Sequence, residues 1–202
     1  PDSCQEMADL TALAFELADR YRNPVVVMTD GFVGQMMEPV AFEREFRPVP
    51  EKPWAVHGTA ATRNNCLTSI QLEADALEHH VRALERKYQA VERDEVRYEA
   101  VRTEDAEIVL VGYGIVARIL KQVVEMGRRE GLKLGLLRPV TLFPFPSQAI
   151  RDLIPQAAEF AVVELSTGQM VDDVRLAVEG SVPIQFYSRV GGNVPTAAEV
   201  LD

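Results

Sequence analysis

Four short apolar runs constrain this chain more than any other feature. They are Ile108–Val111, Leu134–Leu137, Phe160–Val163 and Ile184–Tyr187, and their starts lie 26, 26 and 24 residues apart. Each run is short enough for one buried strand, and helical stretches lie between them. Val116, Ile119, Leu120, Val123 and Val124 make a broad apolar helix face opposed by Arg118, Lys121 and Arg128, with Gly131 as the stop. Ser147 to Ile154 predicts a short helix ended by Pro155, and Gln169 to Val178 another with Gly180 after it. Thr196 to Leu201 starts one more helix. Strand–helix alternation at this spacing requires right-handed crossovers and a parallel sheet.

Upstream the pattern differs. Ser3 and Glu6 have capping-box spacing, and Met7, Leu10, Ala14, Leu17 and Tyr21 continue as one helical stripe. Asn23-Pro24 ends that helix. Pro24 to Met28 then reads as a strand apolar on both faces, closed by the Asp30-Gly31 turn. Such a strand belongs inside a covered parallel sheet, yet only one helix precedes it. The expectation is the tail of a larger α/β domain.

From Pro39 to Ser69 periodicity is lost, with Pro39, Pro48, Pro50 and Pro53 breaking it. This reads as a surface linker pinned by Phe42, Phe46 and Trp54. From Glu73 to about Glu104 both charges are dense. Leu77, Val81, Leu84, Tyr88 and Val91 step by four, three, four and three, continued by Tyr98. That is a heptad seam over two repeats, short of a free coiled coil. It fits a helix packed on its own protein or on a partner chain. His79 and His80 are adjacent on that helix and face different ways, so they read as a solvated pair.

The net charge of −10 argues against nucleic acid or anionic membrane as a partner. The two cysteines, Cys4 and Cys66, form no Cys-x-x-Cys, which excludes a cluster or zinc site held by this stretch alone. A reducing, cytoplasmic setting is the default reading. No apolar run approaches the ~18 residues of a membrane span.

In an open parallel sheet, ligands and neighbours meet the carboxyl ends of the strands. Those ends carry Gly112-Tyr113-Gly114, Arg138-Pro139, Glu164 to Gln169 and Ser188-Arg189. Gly112, Gly114 and Ala117 satisfy the dinucleotide spacing Gly-x-Gly-x-x-Gly/Ala. Arg138 stands where a ribose-binding acid is wanted, which suits only a 2′-phosphate. An NADP- or nucleotide-binding domain is therefore a rival reading. The other reading is a tight turn needing small residues. Glu164 directly follows a buried strand, where a carboxylate needs partners. Backbone donors could supply them, or a neighbouring subunit. Ser166 and Thr167 lack a nearby His base and read as a polar turn opening the next helix. No metal-ligand cluster or nucleophile elbow is present, so no catalytic or metal-binding residue is assigned.

The motifs resemble a known family. Ala14-Phe15-x-Leu17-Ala18-x-x-Tyr21-Arg22-Asn23-Pro24-Val25 and Asp30-Gly31-x-x-Gly34-Gln35-Met36 are similar to the end of the pyrimidine-binding domain in the alpha-type subunit of thiamine-diphosphate-dependent 2-oxoacid:ferredoxin oxidoreductases. Leu137-Arg138-Pro139-Val140-Thr141-Leu142-x-Pro144-x-Pro146 resembles that family's transketolase C-terminal-like domain. So do Val163-Glu164 with Gly168-Gln169-Met170, and Gly191-Gly192-x-Val194-Pro195-Thr196. Leu77-Glu78-x-His80 and Arg63-Asn64-Asn65 resemble the branched-chain (2-ketoisovalerate) branch more than the 2-oxoglutarate one.

The resemblance implies an α/β fold in three parts. Residues 1–38 are the tail of a pyrimidine-binding domain, 39–106 a linker with a long charged helix, and 107–202 a transketolase C-terminal-like domain. It implies part of an enzyme complex that oxidatively decarboxylates a branched-chain 2-oxoacid to an acyl-CoA and reduces ferredoxin. Pyruvate and 2-oxoglutarate are the alternative substrates. Thiamine diphosphate with Mg and iron–sulfur clusters would be held in the full complex, and none by this stretch alone. A beta-type thiamine-diphosphate-binding subunit, an iron–sulfur subunit, ferredoxin and coenzyme A are the implied partners. This chain would serve architecture and subunit contact. Asp30, Gly31 and Gly34 are weak cofactor candidates at the domain edge. Gly112, Gly114, Arg138, Glu164 and Gln169 are the interface candidates. A rival of another class is a non-enzymatic interaction module built on the heptad helix.

Overall fold

The computed structural model describes residues 1–42 and 51–202. Phe46, Pro48 and Pro50, named above for the linker, lie outside the described residues. The chain divides into two compact units, one of Pro1–Val40 with Ala90–Asp202 and one of Ala41–Gln89.

The first unit holds a five-stranded sheet in the order β1-β3-β2-β4-β5. Its strands are β1 Tyr98–Val101, β2 Ile108–Val111, β3 Leu134–Pro139, β4 Glu159–Glu164 and β5 Ile184–Ser188. The four runs read from the sequence are the parallel strands β2 to β5. β1 was not foreseen: it pairs antiparallel with β3, Tyr98 opposite Pro139 and Val101 opposite Leu136. The long charged helix therefore ends earlier than its heptad suggested. It spans Ala74–Asp94, and Tyr98 opens an edge strand instead of continuing the seam. Strand β1 is half exposed and alternates, as an antiparallel edge allows.

Side-chain alternation on the strands builds two cores, one on each face. Val109, Val111, Leu137, Phe160 and Val162 point to the face covered by α4 (Ser147–Leu153) and α5 (Met170–Val178). Leu110, Leu134, Leu136 and Val163 point to the face covered by α3 (Gly114–Arg129) and α6 (Ala197–Leu201). The apolar face of α3 is fully used: Val116, Leu120, Val123 and Val124 are at most 2% exposed. Gly131, with φ +88°, turns the chain after α3. Thr196 and Glu199 form a reciprocal capping box on α6.

Helix α1 covers Cys4–Tyr21, with the Ser3 hydroxyl accepting the Glu6 N–H. The Glu6 carboxylate does not close the box on Ser3; it takes the Asp2 N–H at 2.7 Å. At the other end of α1, the buried Glu95 carboxylate accepts from Tyr21 Oη at 2.7 Å and from Arg20 at 2.8 Å. The expected strand after α1 is corrected. Pro24 to Asp30 is unpaired, and Val26 and Met28 are exposed. A run apolar on both faces needs flanking strands to complete its ladder, and the described residues offer it none.

The second unit contains a short 3-10 segment, Ala60–Asn65, and most of α2 (Ala74–Asp94). The Asn65 side-chain amide donates to the Pro53 and Ala55 carbonyls at 2.7 and 3.0 Å. The expected pins of the linker differ: Trp54 is half-buried with the Lys52 ammonium 5.6 Å from its ring centroid, but Phe42 is exposed. No helix among the described residues is long and apolar enough to cross a membrane.

Candidate functional site

The sheet order places β2 between β3 and β4. The chain leaves β2 toward β3 through α3 on one face, and β4 is covered by α4 and α5 on the other. The crevice at the carboxyl ends of β2 and β4 is thus the topological switch point, where an open α/β sheet receives ligands. A cavity of about 160 Å³ lies there, lined by Met28, Thr29, Asp30, Tyr113, Gly114, Val116, Glu164 and Leu165. Its floor comes from two strand ends. Its wall comes from the unpaired segment after α1.

Asp30 is the central group. Its Oδ1 accepts the N–H of Phe32 at 3.0 Å and of Val33 at 2.9 Å, which closes the turn leading into the 3-10 segment Val33–Gln35. Its Oδ2 accepts the Ile115 N–H at 2.8 Å. Ile115 lies in the first turn of α3, whose free N–H groups and dipole favour an anion. The carboxylate therefore caps a helix from a distant part of the chain.

Gly114 makes that approach possible. Its φ is +59°, and a Cβ there would sit 2.6 Å from Asp30 Oδ2. Gly112 is a packing glycine: a Cβ would meet Leu120 at 2.6 Å, Val116 at 3.0 Å and the Val163 carbonyl at 3.2 Å. The Gly-x-Gly turn thus serves close approach of carboxylate and side chains from this chain. A dinucleotide pyrophosphate would need the helix N-terminus that Asp30 already fills.

Glu164 is 1% exposed at the end of β4. Its Oε2 accepts from Ser166 Oγ at 2.6 Å and from the Met170 N–H at 3.1 Å; Oε1 accepts the Val171 N–H at 3.2 Å. Backbone donors at the start of α5 satisfy it, one of the two outcomes the sequence left open. Gln169, just before α5, is exposed. Tyr113 lines the same cavity as the two carboxylates. Burial pushes its phenol up, and the negative charges of Glu164 and Asp30 act in the same direction.

Arg138 stands apart from this cavity. Its guanidinium is 5% exposed and pairs with Glu6, with Glu99 at 3.0 Å and with Asp2 at 3.4 Å. Lys121 joins the cluster through Asp2 at 2.9 Å and Glu99 at 2.8 Å. Arg118 pairs with Glu38 at 2.7 Å. Arg138 is engaged by three carboxylates, which corrects the reading of it as a 2′-phosphate ligand. Asp2 and Glu99 were not named from the sequence, and Lys121 only on the polar face of its helix, because the three meet only through the fold. Gly31 and Gly34 are exposed on the Asp30 turn.

These residues do not fit thiamine diphosphate or its metal. Both helix N-termini at the crevice are occupied by carboxylates of the chain, and the acidic lining repels a diphosphate. Among the described residues, no group of three or more His, Cys, Asp or Glu could hold a metal ion. What the arrangement does is fasten Pro1–Val40 to the carboxyl edge of the sheet.

Residues 1–108 match the family model for pyruvate flavodoxin/ferredoxin oxidoreductase, thiamine diphosphate-binding, and residues 106–200 match pyruvate:ferredoxin oxidoreductase core domain II. The ketoisovalerate oxidoreductase subunit VorB of Methanothermobacter marburgensis is 50% identical over 202 residues, covering 100% of this chain and 57% of that protein. The 2-oxoglutarate synthase subunit KorA of Methanothermobacter thermautotrophicus is 30% identical over 232 residues, covering 100% of this chain and 61% of that protein. The chain thus spans little more than half the length of these relatives. Among solved structures, the 2-oxoglutarate:ferredoxin oxidoreductase from Magnetococcus marinus with 2-oxoglutarate, coenzyme A and succinyl-CoA bound shares the fold, with a TM-score of 0.55 at 17% identity over 65% of this chain and 23% of that one. The chain belongs to the 2-oxoacid:ferredoxin oxidoreductase family, and along its whole length it is similar to ketoisovalerate oxidoreductase subunits.

Proposed function

We propose that this chain is part of the alpha-type subunit of a ferredoxin oxidoreductase acting on a branched-chain 2-oxoacid. The complex would convert that acid to its acyl-CoA with loss of carbon dioxide and reduction of ferredoxin. The observation that supports this best is 50% identity to a ketoisovalerate oxidoreductase subunit along the whole chain, against 30% to a 2-oxoglutarate synthase subunit. Thiamine diphosphate with its Mg, and the iron–sulfur clusters, would be carried elsewhere in the complex, by a beta-type subunit and an iron–sulfur subunit. The protein pre-shapes such a cofactor's surroundings and leaves the hard chemistry to it.

Residues 1–38 would be the tail of the pyrimidine-binding domain, 39–106 a connector with its long helix, and 107–202 the transketolase C-terminal-like domain. The role of this chain would be architecture. Gly114 and Glu164 would hold the crevice closed around Asp30, while Arg138 clamps α1. Gln169, exposed at the start of α5, remains a candidate for subunit contact. The setting would be cytoplasmic.

The test is an assay of the complete complex with coenzyme A and oxidised ferredoxin. 2-Ketoisovalerate should support faster ferredoxin reduction per unit substrate than 2-oxoglutarate or pyruvate. A preference for either of those two would overturn the substrate assignment, and no turnover with any 2-oxoacid would overturn the reaction.

A further inference from the structure

We propose that Pro1–Val40 is a strap held on the sheet by charge. It opens as one piece and uncovers the crevice at the carboxyl ends of β2 and β4, while both cores stay folded. Two independent observations carry this. The first is how little the strap buries. Neither core includes a residue of Pro1–Val40, either among its buried members or among the half-buried side chains packed against it. No residue of α1 is buried, and its stripe of Met7, Leu10, Ala14, Leu17 and Tyr21 is only half-buried. Val33 is the one buried residue of the segment. Segments with few buried apolar contacts open locally, well below the free energy of global unfolding.

The second observation is what holds the strap. Ile115, Arg118 and Lys121 lie three residues apart and so share one stripe of α3. Each meets a carboxylate of the strap. The Ile115 N–H donates to Asp30 at 2.8 Å, Arg118 pairs with Glu38 at 2.7 Å, and Lys121 pairs with Asp2 at 2.9 Å. The positive end of the α3 dipole adds to the attraction. Arg138 takes Glu6 and Asp2 beside them. The Arg118 and Lys121 side chains are 43% and 35% exposed, so dissolved ions reach these pairs. The screening length falls from about 10 Å at 0.1 M salt to about 3 Å at 1 M. Salt therefore loosens the strap and leaves the apolar cores in place.

Asp30 is both an anchor of the strap and, with Met28 and Thr29, part of the cavity wall. Opening frees the Ile115 N–H and bares the cavity in the same step. The inference does not rest on the proposed reaction.

Amide hydrogen exchange of the 202-residue chain, read residue by residue at fixed pH, tests this. On going from about 0.1 M to about 1 M sodium chloride, the amides in the middle of α1 and that of Ile115 should speed up together, severalfold. Leu110 in β2 and Val162 in β4 should keep their slow rates. Arg118→Met/Lys121→Met should speed the same amides severalfold at low salt and remove most of the salt response. Circular dichroism checks that this variant is folded, and the wild-type salt series decides without it. If α1 exchanged only as slowly as Leu110 and Val162, the strap would open only with the whole fold, which would overturn the proposal. So would α1 exchange indifferent to salt, or an Ile115 amide that stays protected while α1 exchanges.

Discussion

Asp30 Oδ2 accepts the backbone N–H of Ile115 at 2.8 Å across 85 positions of sequence. A loop that precedes the linker thereby caps a helix that follows the first parallel strand. This bond, rather than a bound phosphate, is the use this fold makes of its Gly-x-Gly turn.

Asp30→Ala should therefore destabilise the chain by about 1–2 kcal/mol, the range for losing a helix N-cap. Amide exchange should quicken at Ile115 and also at Phe32 and Val33, which share the carboxylate. Asp30→Asn should lose less, because a neutral oxygen remains. Unchanged exchange at Ile115 in the Ala variant would show that the cap contributes nothing.

Gly114→Ala should cost about 1–2 kcal/mol from the left-handed backbone alone. The clash with Asp30 adds to that. The double variant Asp30→Ala/Gly114→Ala should be less damaged than the sum of the singles, since removing the carboxylate relieves the clash. Strict additivity in urea melts would mean that the two residues do not touch.

Glu164→Ala leaves the Met170 and Val171 N–H groups without their acceptor. A cost of about 1–3 kcal/mol is expected for each buried donor left unmet. In the complete complex this variant should lower thermal stability or subunit association rather than turnover. Lost turnover in an intact, equally stable complex would move Glu164 into the active site.

Acid should loosen the clamp around α1. Burial pushes the Asp2 and Glu99 carboxyls up, but Lys121 and Arg138 outweigh it and hold both below their ordinary values. A group with a depressed folded pKa stabilises the fold above its unfolded value and loses that contribution as pH falls through the folded one. Stability should thus be retained above about pH 4 and decline below it. Lys121→Met should flatten that decline. An acid limb identical in the wild type and this variant would rule out the cluster as its source.

Arg138→Met removes the shared partner of Glu6, Glu99 and Asp2. Breaking one side of a buried ion cluster is expected to cost about 3–5 kcal/mol. Chemical denaturation at low and moderate salt measures it. A change under 1 kcal/mol (about the value of an exposed pair) would show that water already screens the cluster.

The four parallel strands, α3, α5 and the cap at Ser3 were legible from residue order because each depends on local signals. Those signals are apolar runs at regular spacing, a helical stripe, or a hydroxyl three residues before an acid. The family could be read for the same reason, since its motifs are contiguous. The turn at Gly112 and Gly114 was legible as a turn, but what approached it was not. Nothing near Gly114 in sequence says that Asp30 fills the helix N-terminus.

Tertiary structure alone decided the rest. Strand β1 was hidden by a charge pattern and a seam that run on past the end of α2 at Asp94, and only pairing with Leu136 to Pro139 makes Tyr98–Val101 a strand. The run Val25 to Met28 shows the reverse: its composition suits a strand, but a strand exists only where another backbone completes its hydrogen bonds. Arg138 stood as a candidate for subunit contact, and in the rival reading as a 2′-phosphate ligand; only the fold brings Asp2, Glu6 and Glu99 to it. Periodicity determined which faces of this protein are apolar. Long-range charge pairing and capping, which act between residues far apart in order, decided what those faces and edges hold.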